Sequence, residues 1–287
     1  MSLTTTTTPA TVPRRHSNRR QRTLWGITLC TLLLLAIILS PWFMGDAGLS
    51  TVLTQRNQPP SLAHPFGTDW LGRDMLSRSL HGMSLSLRIG LLAAAISALI
   101  GTGLGLAAGT LGGWIDAVIT WIIDVFFSLP HLVLLILIAF AMGGGTTGVI
   151  VAVALTHWTS LARVIRAEVL QVNSSDYVHL SRRFGRSPLW IARHHMVPHI
   201  IPQLLVGLIL LFPHAILHEA ALSFIGIGLS PHIPAIGIIL AESMRHLSTG
   251  YWWLGVMPGL LLLLSVKAFD WLGENVRALL DPKTSQG

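Results

Sequence analysis

The sequence predicts an all-α polytopic membrane protein with six transmembrane helices and one long polar insert between two of them. Three observations predict it. The chain is 52% hydrophobic and only 11% charged. Several apolar runs reach the roughly 20 residues that a membrane helix needs. A single cysteine, Cys30, excludes a disulfide framework and argues against a cysteine metal cluster.

Each element follows in order. Residues 1–23 are Thr-rich and then basic, with Arg14, Arg15, Arg19, Arg20 and Arg22. That resembles the charged start of a signal peptide, but 24–44 is too long and apolar for a signal core and reads as an uncleaved first span. A polar loop, 45–87, follows. Residues 88–276 form a five-helix core. Its first span, 88–111, ends at Gly112-Gly113. The next, 114–142, ends at Gly143-Gly144-Gly145. The remaining spans are 148–170, 200–224 and 252–272. A tail, 277–287, completes the chain.

Charge sets the expected orientation. The N-terminal tail carries five arginines and no acid, and segment 163–199 carries six arginines against Glu168 and Asp176. The C-terminal tail adds Arg277 and Lys283, whereas loop 45–85 balances three arginines with three aspartates. Positive loops stay inside. Both termini and the 172–199 insert are therefore expected in the cytoplasm, with loops 45–87 and 226–251 outside. The net charge of +7 has this ordinary cause. No basic patch is interleaved with stacking aromatics, so nucleic acid is not an expected partner.

The insert reads as two short helices. Ser174 or Ser175 can cap the first, which runs through Tyr177 to Phe184 and ends at Gly185, where a left-handed backbone is tolerated. Ser187 caps the second, Pro188 fits its first position, and the helix runs to Val197 until Pro198 stops it. A loop that only joined two spans would be shorter and irregular.

Polar residues inside spans are expensive and point to function. His214 and His218 lie four apart on one helical face, followed by Glu219. Imidazoles suit nickel, copper and zinc, so His214 and His218 are candidate transient metal ligands and the three residues a candidate substrate pathway. The plain alternative is hydrogen bonding between helices. Asp116 is expected at the cytoplasmic end of its span and Asp124 deeper, paired with a buried partner. His194, His195 and His199 read as a solvated basic loop, since Pro198 interrupts their helix. Asp270 and Glu274 read as interfacial charges near Lys267. Gly101, Gly105, Ala108 and Gly109 allow close helix approach, either within the chain or against a partner.

No GxxxxGK[ST] is present, so no nucleotide site is expected, and Gly101-Thr102-Gly103-Leu104-Gly105 is a packing pattern. A membrane hydrolase using Ser223 with His218 lacks the GxSxG elbow. A secondary transporter would usually carry an internal repeat, and none is convincing here.

Residues 64–78 read His-Pro-Phe-Gly-Thr-Asp-Trp-Leu-Gly-Arg-Asp-Met-Leu-Ser-Arg. This resembles the HPFGTDxLGRDxxSR signature of the second permease subunit of peptide/nickel-type ABC importers, on Gly67, Thr68, Asp69, Gly72, Arg73 and Asp74. The insert is similar to that family's coupling loop, with Tyr177, Val178, Arg182, Gly185, Ser187, Pro188, His195 and Pro198 at the matching or capping positions. Residues 220–228 resemble its AALSFLGLG, and Leu280-Asp281-Pro282 its terminal LDP. The resemblance covers about 60–283. It departs at His179-Leu180-Ser181, where the family has EAA, at His199, where it has Asn, and at Ile236, where it has Trp.

The resemblance implies an inner-membrane subunit that is not itself an ATPase and binds no cofactor. ATP and Mg belong on two partner ATP-binding subunits. A second homologous permease, an extracytoplasmic substrate-binding protein and membrane lipid complete the surroundings. A His-x-x-x-His before the SFLGLG stretch, and Thr156-His157-Trp158, are similar to the nickel branch; Glu219 is closer to the peptide branches. Nickel or a metal chelate is the first expectation for cargo, and di- or oligopeptides the alternative.

Overall fold

A computed structural model describes residues 19–46, 48–230 and 232–280, and every regular element among them is helical. Most of the N-terminal tail and the Asp281-Pro282 part of the terminal motif lie outside the described residues. The long helices are α1 (Arg19–Met44), α2 (Met75–Leu111), α3 (Gly113–Ser128), α4 (His131–Ala141) and α5 (Gly145–Asn173). They are followed by α6 (Asp176–Arg183), α7 (Pro188–Ile191), α8 (Val197–Ile225), α9 (Ile236–Met244) and α10 (Trp253–Leu280). Five stretches are long and apolar enough to cross a membrane, and α3 with α4 makes a sixth when the bent pair is one span.

That pair corrects the expectation of one straight span over 114–142. α3 and α4 meet at 100° across Leu129-Pro130. Pro130 has no N–H to give and pushes the residue before it out of the helical region, and Leu129 is extended at φ −94°, ψ 143°. The pair still runs the length of α5 in the opposite direction. Asp116 meets Arg166, Phe126 meets Trp158, and Ala139 abuts Gly148.

α2 begins at Met75, not near Arg88, so the preceding loop is shorter than 45–87. Asp74 caps the helix, its carboxylate accepting from the Ser77 N–H at 2.8 Å. α2 and α5 run parallel in close contact. A Cβ on Gly101 would lie 2.7 Å from the Trp158 carbonyl oxygen, one on Gly105 2.6 Å from that of Ala162, and one on Gly109 2.6 Å from Val169 Cγ1. The small residues of this span therefore pack within the subunit, the first of their two expected roles.

Pro198 does not stop the helix that starts at Pro188, contrary to expectation. A π turn over Ala192–Met196 absorbs the missing donor, with Val197 N–H bonding to Ala192 O, and the helical path continues from Pro188 to Ile225. α1 begins inside the segment expected as a tail, and α10 runs to Leu280. The loop expected over 226–251 contains α9.

Two ends of the bundle emerge. The start of α1 lies beside the end of α10, with Gly26 against Asn275. The insert joins the end of α2, where Asn173 Nδ2 donates to Gly109 O at 3.2 Å. At the opposite end, the segment before α2 packs on α9 and the start of α10.

Candidate functional site

Three regions carry chemistry. The first is a cavity of about 590 Å³ between the α3–α4 break, α5 and α8. Phe126, Phe127, Leu129, Leu210 and Leu211 supply its apolar wall, and four histidines, His131, His157, His214 and His218, with Thr156, Thr159 and Ser160, its polar one. The α3–α4 break puts non-helical backbone inside a membrane bundle, which is tolerated where it lines a cavity. It also turns His131, the first residue of α4, toward His157 and His218. The ring centroids of these three lie 4.8, 4.9 and 5.0 Å apart. Their nearest nitrogens all fall within 4.8 Å of one another.

Of the predicted pathway residues, His214 and His218 both line this cavity. His214 stands outside the close trio, its Nδ1 3.2 Å from Leu210 O. Glu219 does not join them. It is fully buried on another face of α8, accepting from Ser223 Oγ at 2.8 Å. That bond also occupies Ser223, whose Oγ receives the Leu229 N–H at 3.3 Å. Sequence reasoning singled out His157 only within a motif and passed over His131, because only the bend brings His131 to the other two.

The second region is the insert. Ser175 sits at the N-cap of α6, but its hydroxyl donates back to Val172 O and makes no cap bond. Gly185, at φ +76°, closes α6, with its N–H on Arg182 O and the Arg186 N–H on Ser181 O at 2.9 and 3.1 Å. Ser187 caps α7, accepting from the Trp190 N–H at 3.3 Å, with Pro188 at the first position. Val178 is buried with Val172, Ile191, Met196 and Ile200, which fixes α6 on the bundle. His195 Nε2 lies 3.0 Å from Ser181 Oγ and its ring 5.3 Å from Tyr177. Arg182 donates to Asn173 Oδ1. Trp190 is stacked between the Arg186 guanidinium, 4.6 Å from the ring, and His194. Phe184 and Leu189 remain 81% and 79% exposed on either side of Gly185. A basic, aromatic-edged surface results.

The third region is the signature before α2. Asp69 is fully buried. Its Oδ1 accepts the Leu71 and Arg73 N–H groups at 2.9 Å each, and its Oδ2 accepts Arg73 Nε at 2.7 Å and Arg78 Nη1 at 2.8 Å. Arg78 reaches on to Glu242 of α9 at 2.8 Å. Thr68 Oγ1 donates to Gln55 O and accepts from the Gln58 N–H. Asp74 holds His64 Nδ1 at 2.8 Å. Gly67 and Gly72 turn the chain at φ +72° and +73°. These bonds form a knot that ties the loop to α2 and α9.

Elsewhere, Asp124 is exposed beside Arg163 at 3.2 Å and not buried as expected, and Asp116 is held by Arg166. His199 lies 3.7 Å from Glu168, and Lys267 3.5 Å from Asp270.

The family model described as "Binding-protein-dependent transport system inner membrane component" matches residues 101–284. A dipeptide transport system permease protein of Bacillus subtilis (strain 168) is 34% identical, over 94% of this chain and 84% of its own. A probable D,D-dipeptide transport system permease protein of Escherichia coli (strain K12) is 36% identical, over 91% and 87%. Among solved structures, an inward-facing methionine ABC transporter aligns with a TM-score of 0.59 at 19% identity, covering 72% of this chain and 98% of that one. An amino acid ABC transporter aligns at 0.54 and 20%, covering 71% and 95%. At those identities the structures speak to fold alone.

Proposed function

The chain belongs to the family of inner membrane components of binding-protein-dependent transport systems, and on that premise we propose that it is the permease that passes di- or oligopeptides into the cytoplasm. As an ABC importer permease it is a multi-pass inner membrane subunit, and ATP hydrolysis lies in separate nucleotide-binding subunits. What supports a peptide cargo is near full-length similarity to relatives named for dipeptide and oligopeptide transport. The initial expectation of nickel has less behind it.

The insert is the element the ATPase subunits grip, through the surface around Gly185, Phe184 and Leu189. A second homologous permease completes the passage, two ATP-binding subunits carry ATP and Mg, and a binding protein delivers cargo to the knotted end. The excess of arginine in the insert and the N-terminal tail supports a cytoplasmic position for the insert and both termini. Single cysteines at positions 58 and 187, in a Cys30→Ser background, check this. An impermeant thiol reagent applied from outside should label 58 and spare 187; outside labelling at 187 would reverse the topology.

The test of function is uptake by proteoliposomes holding the two permeases and the ATPase subunits, supplied with the binding protein. Labelled dipeptide should accumulate only with internal ATP. Accumulation driven by an ion gradient without ATP would reject the mechanism.

A metal chelate is the second reading, favoured by the histidines of the cavity. Nickel-chelate uptake with no dipeptide uptake in the same vesicles would select it. In that event His214→Leu with His218→Leu should slow uptake at least tenfold while the complex still assembles.

A further inference from the structure

We propose that His131, His157 and His218 form a binding site for a borderline divalent cation, of the class of Ni²⁺, Cu²⁺, Co²⁺ or Zn²⁺, with a coordination position open to the cavity. The three residues come from three different helices, and nothing in their sequence spacing joins them. Polar side chains inside a membrane bundle are costly, so three imidazoles converging on one point need a reason.

The chemistry fits ligation. His157 Nδ1 lies 3.1 Å from both Val153 O and Thr156 Oγ1; the carbonyl only accepts, and the hydroxyl has its own acceptor in Ala152 O, so the tautomer that satisfies both carries its proton on Nδ1. Nε2 of His157 is then a free lone pair. Such a second-shell carbonyl is the usual way a ligating imidazole is fixed in tautomer and direction. Three imidazoles plus one open position is the pattern of an accessible zinc-type centre. With metal–nitrogen bonds of about 2.0–2.1 Å, tetrahedral ligand nitrogens stand about 3.4 Å apart. Nitrogens already within 4.8 Å reach that by side-chain rotation.

The surroundings narrow the ligand. The cavity wall carries no Asp or Glu among the described residues. Hard cations that want oxygen, such as Mg²⁺ and Ca²⁺, are therefore poorly served. A borderline cation keeps its full charge on neutral imidazoles, so the site favours one that brings an anionic ligand in the open position. The cavity has the room, since about 590 Å³ lies within the range of small-ligand pockets. The site does not depend on the choice of cargo, because it is read by binding and not by transport.

The experiment is equilibrium dialysis of radioactive Ni²⁺ against the assembled transporter in lipid nanodiscs, free of any polyhistidine tag. Co²⁺ is used in parallel, its visible spectrum reporting nitrogen coordination. One saturable site per copy of this chain is expected beyond what His194→Gln removes. His131→Asn and His218→Asn should each weaken that site at least tenfold and abolish the Co²⁺ band. His131 is exposed at the start of α4, so its variant keeps the fold and decides the matter if the His218 variant fails to assemble. No saturable site in the unmodified transporter, or unchanged affinity and spectrum in His131→Asn, would overturn the proposal. The trio would then be a packed aromatic cluster only.

Discussion

Asp69→Ala is expected to remove most of the protein from the membrane, or to lower the melting temperature of the detergent-purified complex by many degrees. Asp69 pairs with two arginines and accepts two backbone N–H groups in a fully buried position. Removing it strands Arg78, whose side chain is 5% exposed, with only Glu242 as an ionic partner. Taking one member from a buried ion pair costs roughly 3–5 kcal/mol. Asp69→Asn keeps acceptor capacity for the backbone and should lose less. Wild-type melting of the alanine variant would show that the knot is dispensable. It would also weaken the account of why this signature has its residues.

Gly185→Val should assemble normally and transport at least tenfold more slowly. A β-branched residue resists φ +76°, so the link between α6 and α7 must change shape. Space is not the obstacle, since nothing lies within 4 Å of a Cβ placed there. The loss is therefore a change in the surface offered to the ATPase. The measurements are ATP-driven uptake and the rise in ATPase rate when loaded binding protein is added. Gly185→Ala should fall between. Normal values of both quantities in the valine variant would remove the insert from the coupling pathway.

Local chemistry made much of this legible. The spans followed from apolar run length, and the corner of the insert from Gly185, Ser187 and Pro188, whose conformational preferences act within a few residues. Proline was read less well. Pro130 sits in an apolar run long enough for one straight span, and that length hid a 100° bend. Pro198 looked like a stop, but a π turn can absorb a missing donor, and whether it does depends on the packing of Ile191, Met196 and Ile200. The cavity was half visible. His214 and His218 share a helical face by spacing alone, whereas His131 joins them only through the bend. Glu219 follows His218 in the chain but faces elsewhere, because successive helical residues are turned about 100° apart. The ion pair between Arg78 and Glu242 joins residues 164 apart, beyond any local pattern.

That separation bears on how the chain is made. At roughly 5–20 residues per second, the ribosome needs about 8–30 s to go from Arg78 to Glu242. For that interval Arg78 has Asp69 but not its second acid, and α9 does not yet exist to cover either. The first helices must therefore enter the membrane and wait with the knot half tied. Its closure belongs to the last steps of biogenesis, once α8 has crossed and α9 can fold back. A nascent chain interrupted before α9 leaves Arg78 without Glu242, so the clasp stays open and charged until α9 is made.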